Sequence, residues 1–249
     1  MSDPTRLQAR ELCVSYGRRQ VLFDVTLAAP MHGAVAVLGR NGAGKTTLLK
    51  TIIGELAPDS GNIVLDLHDI TRLPTERRVR LGLAYVPQEH SVFQRLTVRE
   101  NLELGVLSGQ GRSLVDQALA WFPKLAQRLE QPAGTLSGGE RKMLAIGRAI
   151  LSNPKLLLLD EPTEGVWIGV IEEITEQLRE LTKTIAIVIV EQHLELALGL
   201  ADYAYILDRG RIALEGRSAA VSKDQKLLQL LAPKRSKGSR GHGRWPDVD

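Results

Sequence analysis

Three short stretches carry residues whose types and spacing suit chemistry on a phosphate. Gly39-Arg40-Asn41-Gly42-Ala43-Gly44-Lys45-Thr46-Thr47 contains the pattern GxxxxGK[ST]. Its glycines let backbone N–H groups converge on a triphosphate, Lys45 supplies a point charge toward the β- and γ-phosphates, and the Thr46 hydroxyl suits Mg²⁺. Leu156-Leu157-Leu158-Leu159-Asp160-Glu161 closes an apolar run with two adjacent carboxylates, at the strand end where open α/β sheets bind ligands. Leaving group and nucleophile lie on opposite sides of phosphorus, so the two acids have separate duties. Asp160 belongs in the Mg²⁺ shell, and Glu161 acts as the general base on the attacking water. Leu136-Ser137-Gly138-Gly139-Glu140 opens an amphipathic helix. Beyond capping that helix, Ser137, Gly138 and Gly139 offer unencumbered N–H groups and a helix N-terminus to an anion.

The hydropathy pattern supplies the elements that must aim these residues. Ala34 to Leu38 is a buried-type strand that runs into the glycine loop, and a helix follows up to a Gly54 cap. Lys155 to Leu159 and Thr184 to Val190 are aliphatic runs with no polar side, as in parallel strands covered on both faces. The helix Ile168 to Leu181 separates them. Leu83 to Val86 is stopped by Pro87, which puts Gln88 at a strand end, and a short helix begins at His193. Tyr203 to Asp208 and Arg211 to Leu214 form a hairpin turned by Arg209-Gly210. Near the start, Leu7 to Val14 and the alternation of Val21, Phe23, Val25 and Leu27 on one face predict an antiparallel sheet, joined after the Pro58–Gly61 turn by Asn62 to Leu67. Strand signals vanish from Thr97 to about Glu130, where two or three short helices are expected. The helix capped by Ser137 puts Met143, Ile146, Gly147, Ile150 and Leu151 on one stripe and stops at Asn153-Pro154. The expected fold class is α/β: a mostly parallel central sheet, an antiparallel N-terminal β subdomain, and a helical subdomain inserted at about residues 92–145 of a domain spanning 1–231.

The order phosphate loop, Gln88, LSGGE, LLLLDE and His193 resembles the ATP-binding cassette (ABC) ATPases over nearly the whole chain up to about Leu231. The resemblance implies ATP and Mg²⁺ as ligands. It makes Tyr16 the aromatic residue that stacks on adenine, Gln88 a group that reaches Mg²⁺ and senses a transmembrane partner, and His193 the switch histidine at the γ-phosphate. It also sets Ser137, Gly138 and Gly139 of one subunit against the γ-phosphate held by the loop of another, so that two chains, as a homodimer or with a related second ATPase, make complete sites. One departure stands out: many relatives carry an aspartate a few residues after Asp160-Glu161-Pro162-Thr163, where this chain has Glu164-Gly165-Val166-Trp167. Leu73-Pro74-Thr75, Ala84-Tyr85-Val86-Pro87-Gln88, Arg95 to Leu102 and Val190-Glu191-Gln192 resemble the ATPases of bacterial branched-chain amino-acid importers, and Gly39 to Gly42 with Glu161 to Gly165 equally their urea and short-amide relatives. The implied partners are permease subunits and, indirectly, a periplasmic solute-binding protein, with the chain on the cytoplasmic face of the cell membrane. A lipopolysaccharide-export ATPase shares parts of Leu73 to Leu102. Soluble cassette ATPases acting on nucleic acid or protein assemblies form the alternative class. Their long coiled-coil insertions or doubled cassettes are not seen in this sequence, and no guanine-reading Asn-Lys-x-Asp segment occurs.

Composition agrees with this reading. With 249 residues, 43% hydrophobic and 24% charged, the chain can bury a large core. Its longest apolar runs fall far short of the ~20 residues that cross a bilayer, and residues 1–17 are too charged for a secretory signal. Cys13 is the only cysteine, so no intramolecular disulfide can form. The net charge of +3 lies entirely in residues 232–249; the other residues hold 27 of the 32 basic and 27 of the 29 acidic groups. A balanced body argues against specific nucleic-acid binding, and the Gly-, Ser- and Lys/Arg-rich tail is expected to be a disordered end.

Overall fold

A computed structural model describes residues 5–106 and 111–231; the tail expectation lies outside the described residues. In chain order the strands are β1 (Thr5–Tyr16), β2 (Arg19–Pro30), β3 (Gly33–Leu38), β4 (Ser60–Leu65), β5 (His68–Asp69), β6 (Leu83–Val86), β7 (Leu156–Asp160), β8 (Ala186–Glu191), β9 (Tyr203–Asp208) and β10 (Arg211–Arg217). The helices are α1 (Lys45–Ile53), α2 (Thr75–Arg80), α3 (Val98–Glu103), α4 (Gly111–Trp121), α5 (Gly138–Leu151), α6 (Ile168–Leu181), α7 (Leu194–Leu200), α8 (Ser218–Val221) and α9 (Gln225–Leu231). None of the described helices is long and apolar enough to cross a membrane.

Two sheets result. A six-stranded sheet has the order β10-β9-β3-β8-β7-β6 and is parallel except for the β9–β10 hairpin. A four-stranded antiparallel sheet has the order β2-β1-β4-β5. The fold class is therefore α/β as expected, with a second, antiparallel sheet at the N-terminal end. β7 and β8 lie at or next to the centre of the large sheet and are buried along their whole length, which is why their sequences have no polar side. Their side chains still alternate. Leu157, Leu159, Ile187 and Ile189 face a core shared with α3 to α7. Leu156, Leu158, Val188 and Val190 face a second core made with α1 and the antiparallel sheet.

The structure corrects the reading of the opening strands. Leu22, Val25, Leu27 and Ala29 are the buried residues of β2, whereas Val21 and Phe23 are only half-buried. Asp24 takes a left-handed φ of 56°, and the pairing register slips between Leu12–Val25 and Val14–Leu22. A bulge of this kind flips the side-chain face that strict alternation assumes. β4 likewise ends at Leu65, because Asp66 and Leu67 take φ values of 47° and 68° in a tight turn, and Leu67 points into solvent. The short helices α8 and α9 have no counterpart in the sequence reading. The helix capped by Ser137 and the α6 helix fall where the sequence puts them.

Candidate functional site

The phosphate loop is shaped by its neighbours. Gly42 and Gly44 have φ values of 78° and 110°, which side chains rarely adopt, and Gly44 caps α1 with no side-chain hydrogen bond. The first N–H groups of α1 are thus free to face an anion. The loop is tied to the β9–β10 turn by a bond from the Gly210 amide to the Ala43 carbonyl at 2.8 Å. Gly39 and Ala43 are buried beneath the loop; Asn41, Gly42, Gly44, Lys45, Thr46 and Thr47 line a cleft of about 640 Å³ together with Gln88 and Glu161. Arg19, Val21, Phe23 and Arg209 form its other wall. Tyr16, at the end of β1, is half exposed and is not one of the lining residues. The aromatic ring at the cleft is that of Phe23, with the Arg211 guanidinium stacked 5.0 Å from its centre.

The two acids stand at the end of β7. Asp160 is fully buried; its Oδ2 accepts a bond from the Tyr85 hydroxyl at 3.2 Å, and its Oδ1 is buried without a hydrogen-bond partner. Burial pushes the Asp160 carboxyl above the ordinary carboxylate range, against the pull of Thr46, Tyr85 and Lys45. An unpaired carboxylate oxygen beside Thr46 fits a hard divalent cation. Among the described residues no group of three or more His, Cys, Asp or Glu could hold a metal by itself. Mg²⁺ is usually bound through one or two protein ligands plus phosphate oxygens. Thr46, Asp160 and Gln88 are the residues that would hold it.

Glu161 follows with a left-handed φ of 46° and donates its amide to the Val190 carbonyl at 2.9 Å. Its Oε1 pairs with the Lys45 ammonium at 3.0 Å, both side chains being buried, while Lys45 also donates to the Gly39 and Arg40 carbonyls at 2.9 and 3.4 Å. Its Oε2 accepts from the Gln88 amide at 3.2 Å and the Gln192 amide at 2.9 Å. A carboxylate so held, next to the lysine of the glycine loop, has the geometry to accept a proton from a water in the same cleft.

Sequence reasoning missed several of these contacts. Gln192 also donates to the Asn41 side chain at 2.6 Å and so bridges the phosphate loop to Glu161. Glu191, buried at the end of β8, accepts from the Thr163 amide and hydroxyl at 3.1 and 2.7 Å and from the Gln192 amide at 3.0 Å. Lys142 reaches from α5 to the carbonyls of Gln88 and Glu161. A lysine on the apolar stripe of α5, four residues before Ile146, was the available signal for it. His193 is exposed at the N-terminus of α7, makes no side-chain hydrogen bond there, and lies outside the cleft lining.

Ser137, Gly138 and Gly139 are elsewhere. Ser137 and Glu140 form a reciprocal cap on α5: the Glu140 amide donates to Ser137 Oγ at 3.3 Å and the Ser137 amide to Glu140 Oε2 at 2.8 Å. A Cβ on Gly139 would stand 2.6 Å from Val170, so only glycine lets α5 meet α6 there. Gly138 lines a separate cavity with Gln88 to Val92, Arg141, Lys142, Glu164 and Gly165. The chain's own Ser-Gly-Gly therefore does not furnish its own phosphate cleft; Gln88 is the residue common to both linings. Glu164, in the departing segment, accepts from the Gln88 amide at 2.6 Å. Trp167 is 74% exposed and lies over Gly169, where a Cβ would collide with its ring.

The model of the ABC transporter family matches residues 22–164. The chain is 42% identical to the high-affinity branched-chain amino acid transport ATP-binding protein BraG of Pseudomonas aeruginosa, over 85% of this chain and 93% of that protein. It is 35% identical to the lipopolysaccharide export system ATP-binding protein LptB of Haemophilus influenzae, over 90% of this chain and 95% of that one. Among solved structures, the crystal structure of a nucleotide-free ATP-binding cassette from an ABC transporter superposes with a TM-score of 0.82 at 27% identity, covering 92% of this chain and all of the other.

Proposed function

Because the chain belongs to the ABC transporter family of ATP-binding subunits, we propose that it hydrolyses ATP to drive a membrane importer whose cargo is branched-chain amino acids. The observation that carries the reading is the Lys45–Glu161 pair: a phosphate-loop lysine and a buried strand-end carboxylate 3.0 Å apart in one cleft. The likeness to the branched-chain importer subunit, closer in identity than that to the lipopolysaccharide-export subunit, supports the cargo.

A triphosphate entering the cleft takes Lys45 over from the Gly39 and Arg40 carbonyls and lies against the free N–H groups of α1. This exchange releases Glu161 from its ion pair while Gln88 and Gln192 keep its carboxylate aimed at the cleft. Glu161 then accepts the proton of the attacking water. When bound, Mg²⁺ neutralises charge developing on the β- and γ-oxygens. The family resemblance gives His193 to the γ-phosphate and Tyr16 to the adenine, although neither lines the cleft of the single chain.

None of Ser137, Gly138 and Gly139 lines the chain's own phosphate cleft, and in this reading a second cassette, a copy or a related chain, supplies them to the γ-phosphate. Binding ATP between two cassettes and releasing phosphate gives the closing and opening that a permease on the cytoplasmic side can follow. Moving such an equilibrium from 1:99 to 99:1 takes about 5.5 kcal/mol of preference for the closed form. The test replaces Glu161 by Gln and reconstitutes both forms with the neighbouring permeases and binding protein in liposomes. The parent is expected to take up leucine in an ATP-dependent way, and the variant to bind ATP, dimerise and neither hydrolyse nor transport. Uptake of urea in place of leucine, or lipid extraction, would reassign the cargo, and full turnover by the variant would remove Glu161 as the base.

A further inference from the structure

Lys142 lies on the buried side of α5, and its ammonium donates to the Gln88 carbonyl at 2.7 Å and the Glu161 carbonyl at 3.2 Å. Those two residues also bond each other through their side chains. One cation on α5 thus fastens the two peptide units that carry the cleft's amide and its carboxylate. Glu161 needs such a fastening, because a glutamate at φ 46° is strained and stays there only if its surroundings hold it. Its amide is held by the Val190 carbonyl, and its carbonyl by Lys142.

The charge has its own reason. Burial pulls the Lys142 ammonium below the usual lysine range, and Glu164, Glu191, Asp160 and Glu161 pull it back. Lys142 makes no ion pair with any of them among the described residues, so it serves the carboxylates as a group while spending its hydrogen bonds on the two carbonyls.

We propose that Lys142 is a positioning residue for hydrolysis: it keeps the Glu161 carboxylate aimed into the phosphate cleft. It also makes that aim depend on the seating of α5, the helix that begins with the Ser137-Gly138-Gly139 segment. A helix that touches a partner's phosphate at its first turn is thereby wired, less than two turns on, to the base of its own site. The inference rests on Glu161 being the base.

The test uses the full chain as parent, Lys142→Met, Lys142→Arg and Glu161→Gln, with ATP affinity by titration of a fluorescent analogue, kcat and KM by phosphate release, and ATP-driven dimerisation by light scattering. Lys142→Met is expected to keep ATP affinity and KM within about threefold while kcat falls on the order of 10²-fold, the usual cost of a misplaced catalytic group. Lys142→Arg, which keeps a cationic donor, is expected to regain at least about tenfold of that loss. Should Lys142→Met not stay folded, Lys142→Gln is expected to give the same split between kcat and KM. Turnover by Lys142→Met within about twofold of the parent overturns the proposal. So does a loss of ATP affinity that matches the loss of kcat with no recovery in Lys142→Arg, because Lys142 would then only hold the fold. Turnover persisting in Glu161→Gln fails the underlying reading and is told apart by that variant alone.

Discussion

Lys45 and Glu161 bury opposite charges against each other, and each has a second set of partners: loop carbonyls for Lys45, two side-chain amides for Glu161. This doubling lets the pair separate when a phosphate arrives without leaving either group unsolvated. Removing one member has a cost that the other cannot avoid, since an uncompensated buried charge is worth about 3–5 kcal/mol. The amides of Gln88 and Gln192 recover part of it. Lys45→Ala is therefore expected to lower unfolding free energy by about 2 kcal/mol, read by urea denaturation without nucleotide, and to abolish ATP binding in a fluorescent-analogue titration. Retained ATP binding would remove Lys45 from the phosphate site.

The helix α1 is held at both ends. Its N-terminus opens on the cleft, and its C-terminal carbonyls at Thr51 and Ile52 accept from Arg78 Nη1 at 2.8 and 2.7 Å. Arg78 also donates to the Leu73 and Thr71 carbonyls, and it is fully buried with no carboxylate partner among the described residues. A cation at a helix C-terminus also suits the helix dipole. Arg78→Met strands these carbonyls, each unpaired buried group costing about 1–3 kcal/mol. The expected loss is at least ~3 kcal/mol, a fall in Tm of roughly 6–12 °C, with Arg78→Lys restoring only part. A second tie joins elements of the two sheets: Asp66, in the turn after β4, pairs with Arg6 of β1 at 2.5 Å and with Lys155 before β7 at 3.1 Å. Burial works to raise the Asp66 carboxyl, but the bonds and charges of Lys155 and Arg6 outweigh it and hold it below the ordinary aspartate value. A carboxyl depressed in the folded state stabilises above its unfolded value, near 4, and loses that contribution as pH falls through its folded value. Asp66→Asn should cost about 1 kcal/mol at pH 7. The gap to the parent should shrink on acidification below about pH 4, as followed by denaturation at a series of pH values.

At the scale of the whole molecule the proposed function makes one chain half of a working pair. No residue of the Ser-Gly-Gly segment lines the phosphate cleft, and Gly138 lines a separate cavity. Ser137→Arg is accordingly expected to leave ATP binding intact within a few-fold and to lower turnover by about 10²–10³, the cost of losing one fixed transition-state donor. Mixing Ser137→Arg with Lys45→Ala supplies one intact loop and one intact Ser-Gly-Gly segment to the mixed dimer. Activity is expected to return in the mixture although neither variant has it alone. If the mixture stays inactive, the shared-site arrangement is wrong.

Much of this was legible in the sequence because the signals are local. A glycine loop needs particular φ values, a strand buried on both faces needs an uninterrupted aliphatic run, and a helix start needs a cap; Gly42, Gly44, Leu156 to Asp160 and Ser137 announce these from a few neighbouring residues. What could not be read there depends on chain segments far apart in sequence. The bulge at Asp24 that turns Phe23 toward the cleft is a register effect between two strands. The contacts of Lys142, Gln192 and Glu191 arise only when α5 and the ends of β7 and β8 converge. Sequence alone fixed which groups could bind and cleave a phosphoanhydride, because residue type and short spacing suffice for that. Tertiary structure decided which of them share one cleft and which lie outside it, because that depends on distances across the sheet, which no local pattern encodes.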